Sequence, residues 1–381
     1  MRFDFTAEQQ ALADRVREFA AAQVAPVSQQ GDATGEYASG LLAALAGEGL
    51  LGLGVAEIYG GTGADAVSTG IALEELARAD LSACWPVLNA ALIGGILAAN
   101  GTEEQCKAWL PPIADGTAVA ALCLTEPGHG TDAAAIELAA EADGDGWRLT
   151  GQKASINLGR YATHGLVFAR TGGPGARGIT AFYLPLDGPQ VTRTPHHDHG
   201  SRAGGRCTLT FDGLPAATDT VIGGPGLGFI QVMRGFDYSR ALIALISVGT
   251  ASASLDAALD RAREREVFGK PLGSFQAASF PLVENATLLH AARLLAYEAL
   301  WRKDAGLDHR VEANMAKWWA PKVSGEAAHQ ALLTFGQQGW SDDLPLGQRL
   351  RDVMSTEIAD GTANVTKLVV ARQLLGREHA P

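Results

Sequence analysis

The chain has 381 residues, of which 47% are hydrophobic and 19% charged, as is usual for a globular protein with two or three domains and a sizeable core. Its net charge of -12, without a long run of Lys or Arg, argues against nucleic acid or an anionic membrane as a partner. The N-terminal residues lack the apolar core of a signal peptide, and no apolar run is long enough to span a membrane. The four cysteines form no CxxC pair, so we expect no zinc site and no disulfide framework, and a cytoplasmic location.

The first third of the sequence is patterned as helices. Thr6 and Gln9 nearly match a capping box, and apolar residues follow at helical spacing. Similar apolar segments predict further helices at 38–48, 66–79, 83–100 and 102–113. No strand pattern interrupts them, so we expect an N-terminal helical domain over residues 1–118.

Short strand-like runs, punctuated by Gly, Asp and Pro, occupy the middle of the chain. They lie at 119–124, 147–149, 163–169, 180–184 and 207–211. Their spacing predicts a small antiparallel barrel or sandwich, and we assign this middle β-domain to residues 119–224.

Long helical segments return in the last part of the chain. Helices are predicted at 229–264, 276–303 and 311–335, and a closing helix follows Asp360. Helices of this length bury most of their surface against each other, which predicts a four-helix bundle domain over residues 225–381. The predicted fold class is α+β, mainly α.

Two segments suggest a functional site. From Leu124 to Asp132 a strand runs into a Gly-rich loop, and such loops expose backbone N–H groups that bind a phosphate or the edge of a heterocycle. Near the C-terminus, Asp360 lies on a Gly-containing turn, and Thr362 is expected to cap the next helix by accepting from its first free N–H groups. In an isolated Asp-Gly-Thr segment, such an acid is usually only a capping residue, so the rest of the chain must decide the role of Asp360.

The Gly-rich segment resembles the TEPxxGSD signature of the acyl-CoA dehydrogenase family, with Thr131 in place of the usual Ser. The resemblance continues along essentially the whole chain. Further segments that match family motifs are Gly151–Lys153 with Ile156, Phe211–Pro215, Gly224–Phe229, Phe236–Arg240, Arg265–Gly269 with Gln276, Gly336–Trp340, Arg349–Asp352 and Ile358–Thr362. The resemblance implies N-terminal helical, middle β and C-terminal four-helix domains, FAD as cofactor, and α,β-dehydrogenation of an acyl-CoA thioester.

The resemblance also implies which residues bind the cofactor and the substrate. The implied FAD-binding residues are Leu124, Thr125, Gly130, Thr131, Ser155, Ile156, Asn157, Arg265, Phe268, Gln276, Gln337, Gly339 and Thr362. The implied substrate-binding residues are Phe236, Asp237, Arg240, Ala359 and Gly361. In the family, the element around Arg265 reaches a neighbouring subunit's FAD, so a homodimer or homotetramer is expected. The implied electron acceptor is an electron-transferring flavoprotein.

The position of Asp360 aligns with the Glu that removes the α-proton in most family members. The reaction needs a carboxylate against the α-carbon and donors to the developing enolate oxygen, and the resemblance implies that the N–H of Asp360 is one donor. Asp and Glu have similar pKa values, about 3.9 and 4.3, but Asp is one methylene shorter. A misplacement of about 1 Å can cost roughly 10²-fold in rate. The substrate therefore sits closer to the turn, or the regiochemistry differs, or the activity is weak.

Several positions depart from the family pattern. Ser155 replaces a Trp, Asn157 a Thr, Leu333 a Gln and Ala359 a Tyr. Ser155 and Ala359, together with the shorter Asp360, would enlarge the pocket around the reacting carbons. We therefore expect a branched, cyclic or otherwise bulky acyl group, unless other side chains fill the space.

Other interpretations stay open. The acyl thioester is carried by CoA or by an acyl carrier protein of specialised metabolism, or the chain is a weakly catalytic subunit of a hetero-oligomer. Ser239 occupies the family's alternative base position and cannot act as a carboxylate, and Asp237 ranks below Asp360 as a base. The segment His196–His199 and the side chain of His129 are interpreted as loop residues, and no metal site is predicted.

Overall fold

The computed structural model describes residues 4–381, so the first three residues of the N-terminal stretch considered above lie outside it. The described chain follows the predicted order of a helical domain, a β-domain and a second helical domain. The fold class is therefore confirmed. The proposed domain limits stay predictions. In the structure, the last N-terminal helix ends at Ala114, the first strand begins at Ala120 and the first C-terminal helix begins at Gly228.

Six α-helices form the N-terminal part. They are α1 (Ala7–Phe19), α2 (Ala25–Thr34), α3 (Leu41–Gly47), α4 (Ala66–Ala79), α5 (Cys84–Asn100) and α6 (Glu103–Ala114). The predicted capping box at the start of α1 is confirmed, since the Thr6 side chain accepts from the Gln9 N–H and Gln9 bonds back to Thr6. Helix α2 was not predicted. It follows a π-helical turn (Ala20–Val24) directly and buries only Ser28 and Gly31, so it lacks a marked apolar stripe.

The middle part is one curled sheet of seven strands. They are β1 (Ala120–Cys123), β2 (Ala139–Asp143), β3 (Gly146–Ile156), β4 (His164–Arg170), β5 (Ile179–Pro185), β6 (Val191–Pro195) and β7 (Cys207–Ala216). The order is β1-β4-β2-β3-β7-β6, and β5 pairs with β4. Most pairs are antiparallel as predicted, but β1 and β2 each join β4 in parallel. The unpredicted strands β2 and β6 lack a continuous apolar face, because most of their residues are partly or fully exposed.

The C-terminal part contains five helices and a small hairpin. The helices are α7 (Gly228–Glu264), α8 (Gln276–Asp304), α9 (Arg310–Phe335), α10 (Leu346–Thr356) and α11 (Ala363–Leu375), and the hairpin strands are β8 (Glu266–Val267) and β9 (Lys270–Pro271). Helix α10 was missed because its short sequence is mostly polar. Within residues 4–381, α7 alone is long and apolar enough to cross a membrane, but most of its apolar window is buried inside the protein.

Helices α7 and α9 run parallel and in contact. Asp237 of α7 bonds Arg310 at the start of α9, whereas the guanidinium of Arg261 lies over the ring of Phe335 at the end of α9, 5.5 Å from its centroid. One end of this helix pair therefore carries a polar cluster. The other end carries the β8–β9 hairpin and the 3₁₀ turn Gly336–Trp340.

Helix α10 is tied to the middle domain. The Asp352 carboxylate accepts a hydrogen bond from the backbone N–H of Ser201, in the loop before β7, and Arg351 donates to the carbonyl of His199. Asp352 also lies beside buried Asp80 of the N-terminal part. The three parts of the chain thus meet at α10, immediately before the turn that carries Asp360.

Candidate active site

Asp360 lies in the turn of residues 357–362 that connects α10 to α11, called here the Asp360 turn. Asp360 has φ 52° and Gly361 has φ 107°, both in the left-handed region. A left-handed conformation costs a residue other than Gly about 1–3 kcal/mol, so surrounding contacts must hold it. At Gly361 a Cβ would also lie 3.3 Å from the Val365 side chain, which explains the Gly at this position.

Three side chains from two helices hold the turn. From α7, Arg240 Nε donates to the Asp360 carbonyl at 3.0 Å, and Ser239 Oγ donates to Asp360 Oδ2. From α9, Lys317 Nζ donates to the Gly361 carbonyl at 3.0 Å. Two consecutive carbonyls and one carboxylate oxygen are therefore fixed from outside the turn.

Two polar groups of Asp360 have no hydrogen-bond partner in the part of the chain that the structure describes. Neither Oδ1 nor the backbone N–H of Asp360 is hydrogen-bonded to any residue in the described range 4–381. Both groups belong to one residue whose backbone and second carboxylate oxygen are fixed. The turn thus offers a free carboxylate oxygen and a free N–H donor from the same residue.

Burial and nearby positive charges have opposite effects on the pKa of Asp360. Burial raises the pKa of Asp360, while the hydrogen bond from Ser239 and the charges of Arg240 and Lys317 oppose that rise. Burial also lowers the pKa of Lys317 to about 8, against the attraction of Asp360. A carboxylate with a pKa above its ordinary value is a stronger base.

A buried ion cluster lies behind the turn. Asp237 accepts from Arg310 Nε at 3.0 Å and lies 3.6 Å from Arg240 NH1, and Asn314 Nδ2 is 3.5 Å away. The Asp237 carboxylate is thus already neutralised within the protein. Phe236 is also buried, with its ring below the Arg240 guanidinium. Three of the residues expected to bind substrate, Phe236, Asp237 and Arg240, thus support the turn from behind.

Thr362 and Ala359 flank the carboxylate. Thr362 occupies the N-cap position of α11 with extended backbone, but its side chain makes no capping hydrogen bond, so that part of the prediction is wrong. Thr362 is instead an exposed residue. Ala359 is partly exposed, and its N–H is bonded to the Ser355 carbonyl.

The Gly-rich loop (residues 125–132) is fixed from below by a buried ion pair. Lys153 of β3, 0% exposed, donates to the Leu124 carbonyl at 2.9 Å and to Glu126 at 2.7 Å. The N–H of Ala154 donates to the Thr125 carbonyl at 2.8 Å. These bonds join the loop to the end of β3, so the two segments expected to bind FAD lie side by side.

The exposed face of these segments fits an anionic, heterocyclic cofactor. The N–H groups of Gly130 and Thr131 are exposed and donate to no acceptor within residues 4–381. Ser155, with φ 59°, is exposed, and Asn157 is partly exposed, whereas Ile156 between them is buried. Free N–H groups on a Gly-rich loop bind phosphate oxygens, and the polar side chains suit the edge of a flavin ring.

The other residues expected to bind FAD lie at the far end of the α7–α9 pair. They are Arg265, Phe268, Gln276, Gln337 and Gly339. Along α7, the hairpin is 25 residues beyond Arg240, about 37 Å at 1.5 Å per residue. These residues are thus separated from the Asp360 turn of their own chain.

The His-rich segment is a loop whose polar groups are used within the protein. His196 bonds Thr208, and Asp198 pairs with Arg206. Among residues 4–381 no group of three or more His, Cys, Asp or Glu residues is placed to hold a metal ion. The four cysteines are buried free thiols.

Several residues of the candidate site were missed from the sequence. Lys317 and Asn314 are single polar residues in an Ala-rich, apolar stretch of α9, and this placement was an available signal. From the sequence, Ser239 is excluded as a base, and nothing in its local pattern indicates a contact with Asp360. Its hydrogen bond to Asp360 depends on the packing of α7 against the turn.

Comparisons with known proteins identify the family of this chain. Three family models match: acyl-CoA dehydrogenase N-terminal domain over residues 6–117, middle domain over 121–214 and C-terminal domain over 226–375. Two similar relatives are the probable acyl-CoA dehydrogenase YngJ of Bacillus subtilis (35% identity, 98% of this chain and 100% of that protein) and the human mitochondrial short-chain specific acyl-CoA dehydrogenase (35%, 96% and 90%).

Solved structures are similar over almost the whole chain. Butyryl-CoA dehydrogenase from Megasphaera elsdenii has a TM-score of 0.96 at 32% identity, covering 98% of this chain and 100% of that one. The prolyl acyl carrier protein oxidase AnaB has a TM-score of 0.94 at 25% identity, with the same coverage. The chain therefore belongs to the acyl-CoA dehydrogenase family of FAD-dependent flavoprotein oxidoreductases that act on acyl-CoA.

Proposed function

We propose that this protein dehydrogenates an acyl-CoA thioester between its α and β carbons, with Asp360 as the base. The observation that carries the proposal is the pair of free groups on Asp360, Oδ1 and the backbone N–H, in a turn fixed by Ser239, Arg240 and Lys317. Removal of an α-proton needs a base and an enolate-stabilising donor close together.

In the proposed step, Asp360 Oδ1 accepts the α-proton of the substrate. Partial burial makes the carboxylate a stronger base than an exposed Asp, while Arg240 and Lys317 keep it ionised before the substrate arrives. The N–H of Asp360 donates to the thioester carbonyl oxygen, where negative charge develops. A donor that is already oriented lowers the barrier without reorganisation.

The chain's own residues would hold FAD, which supplies a hydride acceptor when bound. We assign its diphosphate to the exposed N–H groups of Gly130 and Thr131, and the edge of its ring to Ser155 and Asn157. Leu124, Thr125, Ile156 and Thr362 complete this side of the proposed site. The small and polar Ser155 leaves this face open.

The remaining proposed FAD contacts would come from a second copy of the chain. Arg265, Phe268 and Gln276 lie on and beside the exposed β8–β9 hairpin, and Gln337 is exposed on the adjacent 3₁₀ turn. Their distance from the Asp360 turn of their own chain supports contact with a partner's FAD. We therefore propose a homodimer or a homotetramer.

The proposed substrate has a branched, cyclic or otherwise bulky acyl group. Ala359 and Ser155 are small residues at accessible positions, and Asp360 extends one methylene less than Glu. The extra space suits an acyl group with additional carbon near the reacting bond. It also lets the α-carbon approach the short carboxylate.

A flavin-reduction screen tests this proposal. Purified protein is mixed anaerobically with straight, branched and cyclic acyl-CoAs, and the loss of flavin absorbance is followed. We expect Asp360→Asn to lower the reduction rate by about 10²–10⁴-fold, because a general base contributes that much. Exposed Asp212→Asn serves as the control and should reduce like the wild type. An Asp360→Asn variant that reduces as fast as the wild type would refute the assignment.

A thioester on an acyl carrier protein is the second candidate substrate. Similarity to the prolyl acyl carrier protein oxidase AnaB over almost the whole chain favours it. Reduction rates with matched CoA and carrier-protein thioesters distinguish the two. A rate preference of tenfold or more for the carrier-bound substrate would replace the CoA assignment.

Two further questions need separate measurements. One is whether the chain is a weakly catalytic subunit of a hetero-oligomer, and the other is which electron acceptor it uses. A hetero-oligomeric subunit would bind little flavin when expressed alone and more when co-expressed with a related chain. We propose an electron-transferring flavoprotein as acceptor, since the family generally uses one. Oxidation of the reduced protein by that flavoprotein, compared with oxidation by oxygen, tests the assignment.

A further inference from the structure

Lys317 is a buried cation directed at the Asp360 turn. Its side chain is 1% exposed, and its ammonium group donates to the Gly361 carbonyl at 3.0 Å. Within residues 4–381 this is its one hydrogen bond, and no carboxylate oxygen lies within 4.0 Å of it. Burying a charge is costly without compensation, so the hydrogen bond to Gly361 and the attraction of Asp360 must offset that cost.

The charged groups that face Lys317 come from the Asp360 turn and from α7. Asp360 and Glu357 of the turn attract its charge, and Arg240 of α7 repels it. Asp360 is the larger attraction, and the same interaction favours the ionised form of the carboxylate. Lys317 is thus coupled to the group that would act as the base.

The backbone of the turn depends on the same contact. The left-handed conformations of Asp360 and Gly361 are not stabilised by a capping hydrogen bond from Thr362. The two carbonyls are instead bonded by Arg240 and Lys317, one from each of the parallel helices. Removing either donor leaves the adjacent peptide free to rotate.

We propose that Lys317 is a positioning residue for Asp360, which fixes the Gly361 peptide and holds the carboxylate ionised and aimed at the substrate. The inference rests on the proposed role of Asp360 as base. A lysine with a purely structural role would affect the stability of the fold. It would not affect the pH at which the carboxylate becomes active.

The central test is Lys317→Met, which keeps a side chain of similar length and removes the charge. We expect flavin reduction to slow on the order of 10- to 100-fold, as for a misplaced catalytic group. The acid limb of the rate against pH should move to higher pH, because loss of the nearby positive charge raises the pKa of Asp360. Lys317→Arg keeps a charged donor and should restore the position of the limb.

A second readout does not depend on turnover. Hydrogen exchange of the peptide over residues 357–366, measured by mass spectrometry, should be faster in Lys317→Met than in the wild type. Lys317→Gln carries the same expectation, so the test survives if Lys317→Met folds poorly. The pH range used for the acid limb and the pH used for hydrogen exchange are chosen so that each variant is folded.

Two matched controls lie on the same helix. Lys322→Met removes an exposed charge, and Val323→Ala makes a small cavity in the buried face of α9. Lys322→Met should leave the acid limb and the exchange unchanged, and Val323→Ala should lower the melting temperature without moving the limb. These variants separate loss of charge and loss of stability from loss of positioning.

The proposal is overturned if Lys317→Met keeps the wild-type rate, acid limb and exchange while Asp360→Asn is inactive. That result would leave Asp360 as the base and remove Lys317 from the mechanism. An active Asp360→Asn variant would refute the proposed function instead. The two failures are therefore distinguishable in one set of variants.

Discussion

Ser239 Oγ donates a hydrogen bond to Asp360 Oδ2, so the two oxygens of this carboxylate are not equivalent. Oδ2 is bound to a serine that is fully buried in α7. Oδ1 has no partner among the described residues. Ser239 cannot act as a base because it lacks a carboxylate, but its hydrogen bond orients the carboxylate of Asp360, the proposed base.

We predict that Ser239→Ala moves the acid limb of flavin reduction to higher pH. The hydroxyl stabilises the ionised carboxylate and opposes the rise in the pKa of Asp360 that burial causes. Below the limb, the rate should fall about tenfold, the equivalent of roughly 1.4 kcal/mol for one charge-assisted hydrogen bond. Ser254→Ala is the matched control, since its hydroxyl donates to the Thr250 carbonyl of the same helix. An unchanged limb in Ser239→Ala would show that the bond does not tune the base.

We predict that Asp352→Asn stabilises the protein more at pH 8 than at pH 5. Burial and neighbouring Asp80 raise the pKa of Asp352 to about 8, against the hydrogen bond from Ser201. The unfolded state releases this proton near pH 4, whereas the folded state holds it until about pH 8. The free energy of unfolding of the wild type therefore falls as the pH rises between these values. Asn does not titrate and keeps an oxygen for the Ser201 N–H.

The difference in free energy of unfolding between Asp352→Asn and wild type should grow by about 1–3 kcal/mol from pH 5 to pH 8, the cost of burying an unmatched polar group. Denaturant unfolding at both pH values measures it. Exposed Asp212→Asn should show the same difference at each pH. A constant difference for Asp352→Asn would mean that Asp352 is ionised throughout this range.

We predict opposite effects for two Gly→Ala changes inside helices. At Gly249 of α7 a Cβ would lie 2.3 Å from the Glu74 carbonyl of α4, so Gly249→Ala forces the helices apart and should cost about 1–3 kcal/mol. At exposed Gly95 of α5 a Cβ meets nothing within 4 Å, so Gly95→Ala should add about 0.5–1 kcal/mol through helix propensity. Unfolding in denaturant measures both. A neutral Gly249→Ala would contradict the close contact of α4 and α7.

We predict that Phe268→Ala weakens self-association and lowers the flavin content. Phe268 is 96% exposed on the hairpin, and its ring contacts Phe275 of the same chain with centroids 6.2 Å apart. An aromatic residue at the centre of an interface contributes about 2 kcal/mol or more, or roughly 30-fold in Kd. Light scattering and the flavin-to-protein ratio measure the two effects.

The control for this experiment is Ile58→Ala, which removes another exposed apolar side chain in the N-terminal part. It should leave both the oligomeric state and the flavin content unchanged. If Phe268→Ala self-associates and binds flavin as the wild type does, the interface lies elsewhere on the molecule.

Local sequence patterns were sufficient to predict the Asp360 turn and the Gly-rich loop, because glycines grouped with Pro, Asp and Thr favour turns. The same local logic misassigned the Thr362 hydroxyl, which does not cap α11. A cap depends on side-chain rotation, and a Thr at the N-cap position is compatible with an outward hydroxyl.

The support of the turn could not be predicted from local patterns. Lys317 and Ser239 lie 44 and 121 residues from the atoms they bond. Their contacts depend on the rotation of α7 and α9 about their axes, which the packing of the bundle decides. The helical periodicity places both residues on helices but does not say which faces those helices present to residues 357–362.

The attachment of α10 to the middle domain has a mechanical consequence. The helix has eleven residues, its Asp352 is bonded to the backbone of the loop at Ser201, and its C-terminal end runs straight into the turn with Asp360. Helix α10 is therefore a short strut between the β-domain and the Asp360 turn, and its length contributes to the separation between the base and the face proposed to hold the flavin.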